Sequence, residues 1–286
     1  MRIGTPTGSS AYHDVDPEET VYGDIDLKII VPDLPELQNA TQATMQGWWY
    51  RQEAEYVASA NTGVHPDSSA GHPILNVGKD QWVQVDMMIH PEPLANWGAA
   101  RVIPERGIKG VISSTVYSSL AEVLNLRIST NGVQAKLRNG EPVSFRQSKD
   151  TELRTVSLDP DNWAKDIYSL YYYLANGTKP SEFTSNLNAH SGHRGETRLS
   201  DIVLSIKALA EALEEANLLG HGALIAIPNK QDLIRKVATV YSNKLETAEN
   251  SSKFDKAQTP AAIEKAKKTK LMLAKYRNEI TKLLLN

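Results

Sequence analysis

Gly23-Asp24-Ile25-Asp26-Leu27-Lys28-Ile29-Ile30-Val31 is β-branched-rich and is closed by Pro32. At period two, Ile25, Leu27, Ile29 and Val31 share one face, and Asp24, Asp26 and Lys28 share the other. The stretch predicts a strand with an apolar side and an acidic side. Carboxylates at i and i+2 of a strand project from one face about 7 Å apart along the chain, a reach at which both bind oxygen-seeking divalent cations. Downstream, Ile74 to Val77, the turn Gly78-Lys-Asp-Gln81 and Trp82 to Ile89 predict a β-hairpin. In its second strand Val83, Val85, Met87 and Ile89 form one face, while Gln84 and Asp86 lie on the other. An acid inside Val85-Asp-Met-Met-Ile89 is costly unless it is paired, bound to metal or turned to a cleft. With Asp24 and Asp26, a third carboxylate on a neighbouring strand completes a site for two cations roughly 4 Å apart. Three like charges in one pocket demand such cations.

Upstream, Thr7-Gly-Ser-Ser10 forms a small-residue turn after a short strand. Together, Gly8-Ser9, Asp24-x-Asp26 and Asp86 resemble the nucleotidyltransferase superfamily typified by DNA polymerase β, which includes poly(A) polymerases, CCA-adding enzymes and oligoadenylate synthases. The likeness covers about the first 90 residues. It implies that Asp24, Asp26 and Asp86 are the catalytic metal ligands for Mg²⁺ or Mn²⁺. It also implies that Gly8 and Ser9 meet the triphosphate of an NTP substrate, and that Lys109 and Ser113 contact it from the start of a helix. Two features depart from the family pattern. The segment between Ser9 and Asp24 is long and carries Asp14, Asp16, Glu18 and Glu19, and almost no chain precedes the first strand.

The expected fold class is α+β: a small mixed β-sheet nucleotidyltransferase domain over 1–105, a mostly α-helical domain over 106–252, and a basic C-terminal helix over 253–286. Leu34 to about Ser59 has helical composition interrupted by Gly47. Val111 to Leu126 reads as helix, and short strands are expected around Asn131-Gly132 and Asn139-Gly140. Helices are predicted over about 161–175, 180–188, 199–217, 229–247 and 260–285. The third of these is the clearest, because Leu199, Ile202, Val203, Ile206, Leu209, Ala210 and Leu213 recur at three-to-four spacing.

Composition narrows the chemistry. The 286 residues include no Cys, which excludes disulfide-stapled modules, thiol enzymes and thiolate-ligated metals. No stretch of about 18 uncharged apolar residues offers a membrane span, and a cytoplasmic protein is expected. The net charge of −3 hides an asymmetry: Lys253 to Asn286 has nine Lys/Arg against three acids, +6, so residues 1–252 carry −9. The basic helix suggests phosphate-backbone contacts through Lys265, Lys268 and Lys275, with a solvated helix docked by Ile263, Leu271, Ala274, Ile280 and Leu283 to Leu285 as the plainer reading. His190 and His193 beside Arg194 and Arg198 read as a polar loop, and the triplets Trp48-Trp49-Tyr50 and Tyr171 to Tyr173 as core, with at most one or two rings of each able to stack a base.

The expected activity is metal-dependent transfer of a nucleoside monophosphate from an NTP to a hydroxyl, with an RNA or tRNA 3′ end as the favoured acceptor. Formation of an oligo- or cyclic nucleotide, or modification of a protein or small molecule, is the alternative. An inert binding or assembly protein that keeps the fold is the reading from a different class.

Overall fold

The computed structural model describes residues 2–3, 25–32, 74–78, 81–92, 110–129, 132–147, 150–156, 162–190, 199–251 and 259–286. Strand β1 is Arg2–Ile3, β2 Ile25–Val31, β3 Ile74–Gly78 and β4 Gln81–Pro91. They form one sheet in the order β1-β2-β4-β3. The β3–β4 hairpin is antiparallel, as expected for a pair joined by two residues. Strand β2 pairs with β4 in parallel and with β1 antiparallel, so the sheet is mixed.

The next region is less purely helical than its composition suggested. Helix α1, Gly110–Val123, stops three residues short of the expected Leu126, which instead opens strand β5, Leu126–Ser129. Asn125, at φ 51, supplies the left-handed residue that ends the helix. Strands β6, Gly132–Arg138, β7, Glu141–Val143, and β8, Glu152–Val156, follow. The Asn139-Gly140 turn has φ values of 53° and 83°, the pair of positive angles that a tight two-residue hairpin requires. β6 is central: β5 and β7 share one edge, and β8 takes the other. Its middle is covered on both faces as well, since the consecutive residues Val133, Gln134 and Ala135 are all buried. Strand β8 is the element that the sequence reading lacked.

Five helices complete the described chain: α2 Trp163–Asn176, α3 Ser185–Ala189, α4 Leu199–Glu215, α5 Lys230–Glu249 and α6 Pro260–Leu285. Helix α2 ends at Gly177, whose left-handed φ of 71° lets its N–H return to the Tyr173 carbonyl. Helix α5 starts at Asn229, whose side-chain oxygen accepts from the Asp232 N–H at 2.8 Å. The α4 stripe is buried at Ile202, Val203, Ile206, Leu209, Ala210 and Leu213, as its periodicity predicts.

One apolar cluster joins the second sheet and the helices. It runs from Ile112 in α1 through Leu126 and Val133 of the second sheet to Trp163, Leu209, Val237 and Leu284. Trp163 is held edge-on by Tyr117, with ring centroids 5.2 Å apart. Lys244 of α5 ties α1 down, donating to the Ser118 carbonyl at 3.0 Å and pairing with Glu122 at 3.0 Å.

The docking side of α6 keeps Ile280 and Leu284 of the expected residues and adds Leu273. Leu273, Ile280 and Leu284 are buried, whereas Ile263, Leu271 and Leu283 are exposed. Spacings of seven and four keep the buried three on one stripe, and Leu271 lies about 200° from Leu273 around the helix.

Candidate active site

Residues paired across parallel strands point to the same side of the sheet. The β2–β4 register pairs Asp26 with Asp86, Lys28 with Met88 and Ile30 with His90. Neighbouring strands lie about 4.8 Å apart, so the two aspartate positions stand abreast at a spacing that one divalent cation bridges. Ile25, Leu27, Ile29 and Val31, with Val85 and Ile89, occupy the opposite face, which explains why this pairing is fixed: a one-residue slip would exchange the apolar and acidic sides.

Burial deepens along both strands. Ile25 and Leu27 are half-buried and Ile29 to Val31 are buried; Asp86 is half-buried, and Ile89 and His90 are buried. Asp86 thus lies toward the more open end of its strand. Asp86 accepts a hydrogen bond from the Gln84 amide at 2.6 Å, from the neighbouring position on the same face. The set fits a hard cation, since both positions carry carboxylate oxygens and the chain has no cysteine thiolate to compete for a softer metal.

Two deeper residues share this face and were not singled out as functional from sequence. Lys28 and His90 are each 1% exposed. An ammonium at that depth is costly without negative charge close by, and Asp26 and Asp86 are the acidic positions on that face among the described strands. Period-two counting from Asp26 and Asp86 reaches both Lys28 and His90, so their face was legible; their depth was not.

The remaining expected site residues are distributed differently. Gly8, Ser9, Asp24 and Lys109 lie outside the described residues, as do the acidic segment 14–19, the Trp48-Trp49-Tyr50 triplet and His193. Ser113 sits half-buried in the first turn of α1. Lys265 lies in α6. Lys268 and Lys275, seven residues apart and therefore nearly stacked, are exposed on that helix. Each has a glutamate one turn away, Glu264 and Glu279, with N–O distances of 3.9 Å. These acids partly offset the positive stripe.

A groove of about 500 Å³ opens between α4, α5 and the end of α6. Its cations are largely matched: Lys230 meets Glu211 at 3.1 Å and Glu214 at 3.7 Å, and Arg235 meets Asp232 at 2.6 Å. The hydrogen bond from Lys230 holds the Glu211 carboxyl below its ordinary range, and the same bond raises the Lys230 ammonium. His190 also lines this groove, at the end of α3.

Compared with protein families, with curated proteins and with solved structures, the chain matches none.

Proposed function

We propose that the chain is a metal-dependent nucleotidyltransferase, with the β1–β4 sheet as its catalytic part and the helical remainder serving substrate binding. The observation that supports this most is the parallel β2–β4 register, which sets Asp26 beside Asp86 on the polar face of the sheet. The sequence places Asp24 two residues before Asp26. In the proposed reaction the acceptor hydroxyl attacks the α-phosphorus of an NTP. The new P–O bond replaces the bond to the β-phosphate, pyrophosphate leaves, and the hydroxyl proton passes to solvent by way of Asp86. Bound Mg²⁺ or Mn²⁺ would steady the charge on the attacking and leaving oxygens. Asp24 and Asp26 would hold the ions with Asp86, and Gly8 and Ser9 would receive the triphosphate. An RNA or tRNA 3′ end is the proposed acceptor, on the strength of the basic C-terminal segment.

The test is incubation with each α-labelled NTP and Mg²⁺ or Mn²⁺, with and without bulk tRNA. Label in RNA is the expected result, falling by at least about a hundredfold in Asp26→Asn and Asp86→Asn, since losing a metal ligand removes charge stabilisation at the reacting phosphate. A small labelled product formed without RNA would transfer the same chemistry to a nucleotide acceptor. Absence of label from every product, with all four NTPs and both metals, would refute the proposal.

A further inference from the structure

A cavity of about 300 Å³ lies between the C-terminal half of α1, strand β5 and the segment after β7. None of its lining residues belongs to the first sheet. Ala121, Leu126 and Ile128 supply apolar surface, and Phe145 lines the cavity half-buried. Ser118 and Ser144 contribute hydroxyls, and Arg127 and Arg146 stand exposed at its border.

The charge balance is specific. Glu122, the one acid in the lining, is already matched by Lys244 at 3.0 Å. Among the described residues neither the Arg127 nor the Arg146 guanidinium has an ion pair or a side-chain hydrogen bond. The wall that carries Phe145 is held in place. Lys136 Nζ donates to the carbonyls of Phe145 at 3.0 Å and Gln147 at 3.1 Å, and lies 5.6 Å from the Phe145 ring centroid. The Gln147 N–H closes the turn on the Ser144 carbonyl at 2.9 Å. The Ser118 hydroxyl is engaged, donating to the Thr115 carbonyl at 3.1 Å and accepting from Lys244 Nζ at 3.2 Å, so the cavity offers a positioned aromatic ring, the Ser144 hydroxyl and two uncompensated guanidiniums.

From this juxtaposition we infer that the cavity binds one nucleotide unit, its base against Phe145 and its phosphate between Arg127 and Arg146. Guanidiniums take phosphate through paired hydrogen bonds, and an aromatic side chain accepts any base by its flat face. A volume of about 300 Å³ is at the small end for ligand sites, suited to a single unit rather than a duplex. The inference goes beyond the proposed transfer reaction, because binding here needs neither metal nor the aspartates. A free mononucleotide and a residue of a single-stranded RNA present the same chemistry.

Calorimetric titration of the full chain in EDTA, with AMP and separately with a 5′-phosphorylated oligo(A) hexamer, separates those two sources. Saturable binding of either is expected, weakening as salt rises. Arg127→Ala/Arg146→Ala should weaken it by at least about tenfold. Phe145→Leu, which keeps apolar bulk, should weaken AMP while leaving ribose 5-phosphate unchanged. Asp26→Asn/Asp86→Asn should bind as the wild type does. The circular dichroism of each variant should match the wild type. No binding of either probe, equal binding by the arginine variant, or loss of binding in the aspartate variant would each overturn the inference.

Discussion

Tyr171, Tyr172 and Tyr173 are chemically identical and meet three environments. Tyr171 is buried and donates its hydroxyl to the Leu124 carbonyl at the end of α1, and burial pushes its phenol well above the ordinary range. Tyr172 leans on Tyr168, and Tyr173 is 38% exposed beneath the Arg154 guanidinium, 5.1 Å from its ring centroid. Tyr171→Phe strands a buried carbonyl and should cost about 1–3 kcal/mol in urea unfolding, with no effect on the slope. Glu211 and Lys230 give a prediction in pH. The carboxyl is lowered on folding, so its contribution is present above the unfolded value of about 4.3 and is lost as pH falls through the folded value. The ammonium is raised on folding, so its contribution is present below about 10.4 and is lost as pH rises through its folded value. The Tm difference between wild type and Glu211→Gln should thus be positive near neutrality and close at both extremes. Because both side chains are partly exposed, added salt should shrink it. A difference that persists at pH 3 would assign the effect to packing instead.

Among the elements, α6 shows how far amphipathic reading reaches. The helix was expected and is found over the same residues, since its run of Ala, Lys, Leu and Glu favours nothing else. Of the expected docking residues Ile280 and Leu284 are buried while Ile263, Leu271 and Leu283 are exposed, because leucines occur all round the helix and only contact with α4 and α5 selects Leu273, Ile280 and Leu284. Two further contacts settle that side: Tyr241 of α5 donates to the Tyr276 carbonyl at 3.2 Å, and Arg277 meets Glu249 at 3.2 Å. Leu273→Ala should therefore destabilise by about 2–5 kcal/mol. Leu271→Lys, at a position 71% exposed, should stay within about 0.5 kcal/mol. Denaturant midpoints for the two variants decide between this side and the one that includes Leu271.

At the level of the whole molecule, the buried cluster begins at Ile112 and ends at Leu284, while the buried residues of the first sheet, Ile29 to Val31, Val85 and Ile89, stand outside it. Residues 106–286 alone should consequently unfold in one cooperative transition, with Trp163 fluorescence and helical circular dichroism changing together. Non-coincident transitions would show that the cluster depends on the first sheet. Sequence alone determined the β2 and β4 strands, the β3–β4 hairpin, the Asn139-Gly140 turn and the α4 stripe. In each, periodicity or turn chemistry is a local property of neighbouring residues. It also determined that no metal here is held by a thiolate, since cysteine is absent. The tertiary structure decided what depends on partners distant in sequence. Strand β8 is placed by its pairing along β6, and the depth of Lys28, 1% exposed, is not visible in the alternation of its own strand. The same holds for the site: two aspartates sixty residues apart became adjacent positions because β2 and β4 pair in parallel, and one register among several aligns Asp26 with Asp86.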